Sequence, residues 1–148
     1  MKTIHTNISE ETLDSRNEYR DRIELLRSRA ELLVGKDRLL MTMYLKNGNS
    51  FRQMARLAGV NETTIARKIH NVTKRLIDGE YITCLRNRDK FTANEMAVAK
   101  DYFIHGLAMK KIAVKRHCSY YRIRQSLKKI QQLVSATGID QRAVSGGF

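Results

Sequence analysis

A chain of 148 residues with 42% hydrophobic side chains is long enough to bury a core, and a net charge of +13 points to a polyanionic partner. The absence of Pro and Trp, and the scarcity of alternating Val, Ile and Thr, argue against strands, so an all-α protein is expected. Two cysteines, Cys84 and Cys118, without a Cys-x-x-Cys pair or flanking His argue against a zinc site, and no apolar run reaches the roughly 20 residues of a membrane helix.

Met1 to His5 lacks the apolar core of a signal peptide, so a cytoplasmic protein with reduced, buried thiols is expected. The charge is unevenly spread. Residues 1–35 hold 6 Lys and Arg against 7 Asp and Glu, residues 36–78 hold 9 against 3, and residues 79–148 hold 13 against 5. The basic excess therefore belongs to the chain after residue 35.

From Ser9 to about Val34 the sequence reads as one long helix, with Ser9 as N-cap, Glu10 and Glu11 in the first turn and Gly35 just past the end. Its apolar residues Tyr19, Ile23, Leu26, Ala30 and Leu33 make a narrow stripe. Such a stripe packs on the rest of the chain or forms a homodimer seam through residues 9–34, and both readings stand at this point.

Beyond it, a shift of 58 residues lays Tyr44 on Tyr102, Leu45 on Phe103, Gly48 on Gly106, Met54 on Ile112 and Ala55 on Ala113. The same shift lays Val60 on Cys118, Ile65 on Ile123, Ile69 on Leu127, Val72 on Ile130 and Leu76 on Val134, without a gap. A duplicated unit accounts for this. Each copy predicts three helices: 37–47, 51–58 and 62–77 in a first unit over 36–78, then 92–105, 109–116 and 120–135 in a second over 92–136. Residues 79–91 read as a packed connector, and 137–148 as a flexible tail.

In the first unit Ala55 is small where a second helix must approach, and Gly59 stands where a tight turn needs a left-handed backbone. Val60 is placed to plug the corner, and Asn61 to cap the next helix. Two helices crossing steeply at such a turn are a helix-turn-helix. Through Ser50-Phe51, Met54-Ala55, Gly59-Val60-Asn61, Thr64-Ile65 and the basic run Arg67-Lys68-Ile69-His70 to Lys74-Arg75-Leu76, the stretch from about Lys36 to Leu76 resembles the fourth conserved region of bacterial sigma factors and the sigma-like regulators. The resemblance implies a three-helix fold whose last helix enters the major groove, and RNA polymerase as a partner.

Opposite the buried side of helix 62–77, Glu62, Thr63, Arg67 and His70 face outward as candidate base contacts. Arg67 can grip guanine through two hydrogen bonds, Glu62 can accept from a cytosine amine and Thr63 can meet a thymine methyl. Arg52, Lys68, Asn71 and Lys74 are candidate phosphate contacts. In the second unit His117 stands where the first has Gly59, Tyr120, Tyr121, Arg124, Gln125 and Lys128 form the base-facing set, and Lys110, Lys111, Lys115, Arg116, Arg122 and Lys129 the phosphate set. From Ala108 to Lys129 there are eight basic residues and no acidic one.

His5, His70, His105 and His117 have no acid or nucleophile at a telling spacing, and there is no Gly-rich phosphate loop, so no catalytic, metal or cofactor role is expected. Tyr44, Phe51, Tyr102 and Phe103 fall at core positions. The expectation is a nucleoid-associated transcriptional regulator that reads double-stranded DNA in a sequence-specific way with two recognition helices. The alternatives are an adaptor docking on RNA polymerase or another protein, and the DNA-targeting subunit of a recombination or replicon-maintenance system.

Overall fold

Residues 10–145 are described in the computed structural model, with side chains described from 13 to 137; the expected cap Ser9 and residues 146–148 lie outside them. The described residues are helical, with no strand. In chain order they form α1 (Glu10–Arg29), α2 (Gly35–Leu45), α3 (Phe51–Ala58), α4 (Glu62–Asp78), α5 (Glu80–Arg86), α6 (Ala93–Phe103), α7 (Met109–Lys115) and α8 (Tyr120–Ser145).

The α1 helix stops earlier than its composition suggests. A 3-10 turn, Ala30–Leu32, follows Arg29, and Leu33 and Val34 are extended before Gly35, at φ 60°, opens α2. The apolar stripe divides at the same place. Leu26 and Leu33 are buried, whereas Tyr19 is 68% exposed, so only the end of the stripe packs on this chain. Arg27 reinforces that packing by donating from Nε and Nη2 to the Leu45 carbonyl, at 3.3 and 3.0 Å, where α2 has run out of its own donors. Glu31 pairs with Arg38 and Lys46 on the surface of the same corner.

Contacts divide the chain into two compact units between Ile69 and His70, inside α4 and not after it. The later half of α4 belongs with α5 to α8, and Arg75 is one residue that ties it there: its Nε donates to the Ile104 carbonyl at 3.0 Å, at the end of α6. Gly106, at φ 65°, lies against that guanidinium, and a Cβ there would come within 2.8 Å of it.

In the first unit Leu40, Met41, Leu45, Met54, Ala55, Ile65 and Ile69 are buried between α1 to α4. Each large apolar side chain so enclosed stabilises by about 1.5–3 kcal/mol. In the second unit Val98, Ala99, Phe103, Ile112, Ala113, Ile123, Leu127 and Ile130 play the same part, and Val72 and Leu76 of α4 are buried with equal completeness. The stretch expected as a connector is itself helical. Tyr81 and Cys84 of α5 are buried, and α5 packs on α6 and α8, because Tyr81-Ile82 and Cys84-Leu85 give a short polar segment enough apolar surface to dock. The last helix also runs past the expected end near 135 and on through residues assigned to the tail, to Ser145.

Candidate nucleic-acid interface

The turn between α3 and α4 is built from hydrogen bonds that its sequence supplies. Ser50 Oγ accepts from Gln53 N at 3.1 Å while Gln53 Oε1 accepts from Ser50 N at 2.9 Å, a reciprocal cap that starts α3. Gly59 ends it at φ 69°, ψ 29°, and the Val60 N–H donates to the Ala55 carbonyl at 3.0 Å. Asn61 Oδ1 then accepts from both the N–H and the hydroxyl of Thr64, each at 2.8 Å, starting α4.

The turn between α7 and α8 repeats the corner and the cap that follows it at a spacing of 58, but not the cap of α3, since Ala108 stands at the place of Ser50 and has no side-chain cap. Cys118 N–H donates to Ala113 O at 3.0 Å, Ser119 Oγ accepts from Arg122 N at 3.2 Å, and Ile123 N–H donates to Ser119 O as Ile65 N–H does to Asn61 O. His117 occupies the place of Gly59 at φ 54°, a positive φ that the other described positive-φ residues leave to glycine. Upstream the correspondence continues. Lys46 and Asn47 donate to Thr42 O as Ile104 and His105 donate to Lys100 O, and Asn49 donates to Met43 O as Leu107 does to Asp101 O.

The face opposite the core is where the two copies present their polar side chains. At about 100° per residue, Thr63, Arg67, His70 and Lys74 fall on one side of α4 and Ile65, Ile69, Val72 and Leu76 on the other. The first four are exposed and the second four buried. Glu62 and Asn71 flank the exposed stripe, and Arg52 and Lys68 are exposed as well. On α8 the corresponding stripe is Tyr121, Gln125, Lys128 and Gln132, opposite Ile123, Leu127 and Ile130, with Tyr120, Arg122 and Arg124 exposed beside it. Lys110 and Lys111 belong to the first turn of α7, where both are exposed. Gln132 and, on α3, the exposed Arg56 join these sets without having been expected; the 58-residue correspondence with Lys74 marks the first, and helical spacing from Arg52 marks the second.

Three of the expected phosphate contacts are engaged within the chain. Lys115 Nζ and Arg116 Nε hold the two oxygens of Asp101 at 2.7 and 2.8 Å, and Lys129 Nζ lies 3.1 Å from Glu95 Oε1 and 5.8 Å from the Phe91 ring centre. Burial pushes the Asp101 carboxyl up, but the hydrogen bonds and charges of Arg116 and Lys115 outweigh it and hold the group below the ordinary Asp range. Glu95 is likewise lowered, its burial outweighed by the Thr92 N–H and Lys129.

Of the positions expected to be buried, Phe103 is, Phe51 and Tyr102 are half-buried, and Val60 and Tyr44 differ. Val60 is 42% exposed and does not plug the turn, because the left-handed Gly59 directs the chain outward and Met54, Ala55 and Ile65 close the core without it. Tyr44 is at the surface, stacked on Phe51 with ring centres 5.5 Å apart. Cys84 is buried, its thiol pushed up to about 11 by burial and by Glu80, while Cys118 is half-buried; both are free.

Compared with protein-family models, curated proteins and solved structures, the chain has no match. Among the described residues no group of three His, Cys, Asp or Glu side chains could hold a metal ion, and no helix is long and apolar enough to cross a membrane.

Proposed function

We propose that this protein binds double-stranded DNA in a sequence-specific way, through two helix-turn-helix units whose reading helices are α4 and α8, and that it regulates transcription on the nucleoid. The observation that carries the reading is the recurrence of one turn at a spacing of 58 residues. Each copy pairs a left-handed corner, Gly59 or His117, with a side-chain cap and a following helix that is apolar on one face and basic or polar on the other. The likeness of Lys36–Leu76 to the fourth region of sigma factors points the same way.

In this reading Arg67 and, on α8, Arg124 and Gln125 contact base edges, while Lys68, Lys74, Lys110, Lys111 and Arg122 neutralise phosphates. Selection of bound sequences from a random duplex pool, followed by footprinting, tests it. A defined site is expected in which Arg67→Ala and Arg124→Ala each relax discrimination at a different position. Equal affinity for every sequence would sink the proposal.

A second reading, docking on RNA polymerase or on a second copy of the chain, is favoured by one observation: Leu13 and Tyr19 of α1 are exposed. Replacing them should abolish polymerase capture or dimer formation while leaving DNA binding intact. Leu26 is unsuited to that test, since it belongs to the core.

A further inference from the structure

Asp101 is a buried charge that DNA binding alone leaves unexplained. Its side chain is 1% exposed, and both its oxygens are taken by cations, Lys115 and Arg116. At a spacing of 58, the same three positions in the first unit are Met43, Leu57 and Ala58, an apolar set. The two units differ in one other respect at this place: the corner is glycine in the first and His117 in the second, where a Cβ disfavours the left-handed backbone that the chain nevertheless adopts. The strained residue is gripped on both sides. Arg116, directly before it, is tied through its side chain to Asp101, and Cys118, directly after it, donates its N–H to Ala113 O and its Sγ–H to Arg116 O at 3.3 Å.

We infer that Asp101 is a positioning residue for α8: by holding Lys115 and Arg116 it keeps the left-handed His117 corner from which α8 departs, and it withholds those two cations from DNA phosphate. The glycine corner of the first unit needs no such clamp, which is why apolar residues suffice there. Moving either cation to a surface phosphate would leave one oxygen of a buried carboxylate without its partner, so the clamp outcompetes that contact. The structural coupling stands on its own; its consequence for binding rests on the DNA reading above.

The test uses the full chain with Asp101→Asn, His117→Gly, the double variant and Lys115→Met. Asp101→Asn should speed amide hydrogen exchange at Cys118 by about tenfold or more, with the corresponding corner at Val60 unchanged. Adding His117→Gly should restore protection, because glycine holds the corner unaided. Preference for the selected DNA site should fall in Asp101→Asn and return in the double variant. Lys115→Met should keep the salt slope of the parent, whereas a true phosphate contact would lower it by about 0.9.

Parent-like exchange at Cys118 in Asp101→Asn, or a double variant as unprotected as the single, overturns the coupling. A reduced slope for Lys115→Met overturns the withheld cations. If the parent binds all duplexes alike, the DNA reading fails while the exchange data still decide the coupling. Should Asp101→Asn not fold, the triple variant Asp101→Met, Lys115→Leu, Arg116→Ala, which installs the first unit's apolar set and strands no charge, takes its place with the same expected and overturning results at Cys118.

Discussion

Arg67 and Ile65 sit two residues apart on α4 and face opposite ways, so they separate binding from stability. Arg67→Ala removes an exposed side chain; if it reads a base, competition binding should show a drop of about 1–3 kcal/mol in discrimination at one position. Its thermal midpoint should stay where the parent's is. Ile65→Ala opens a cavity at a fully buried position and should cost about 2–5 kcal/mol in denaturant unfolding. Asp101 makes a prediction in pH. Its folded pKa lies below the ordinary Asp value, so its contribution is complete above about pH 5 and is lost as pH falls through the folded value. Acid titration of stability should therefore be shallower for Asp101→Asn than for the parent. Side chains of this kind were legible in the sequence where helical spacing alone sets their direction: each expected base-facing residue is exposed. The Asp101 clamp was not legible, because residues 14 and 15 positions apart meet only after α6 and α7 have packed.

At the scale of the element, starts proved easier to read than stops. The N-cap Asn61 is visible as a residue type before an apolar periodic run, and its side chain does accept from Thr64. Asn61→Ala should cost about 1 kcal/mol by removing that cap, and unfolding should show it with the core intact. The end of α1 was misplaced, since Ala30 to Leu33 continue the helical stripe in sequence and the 3-10 turn is forced by docking onto α2. The helix α5 was missed for a related reason. Seven residues are too few to be stable alone, so its helicity comes from Tyr81 and Cys84 being buried against α6 and α8.

For the whole molecule, charge is the property most open to measurement. If the basic residues from Lys110 onward touch phosphate, affinity should fall linearly in a plot of log affinity against log salt, and Lys110→Ala with Lys111→Ala should reduce that slope by about 0.9 for each phosphate no longer neutralised. Weaker binding with an unchanged slope would assign these lysines to something other than the DNA backbone. Helical character, the 58-residue repeat and the outward faces of α4 and α8 were set by the sequence by itself, because periodicity and capping act between residues three or four apart. Which cations remain available, where the first unit ends and how a histidine comes to hold a left-handed corner were decided by tertiary structure. Each of those depends on charges and carbonyls, such as Asp101 and the Ile104 oxygen, that reach their partners only when distant helices pack.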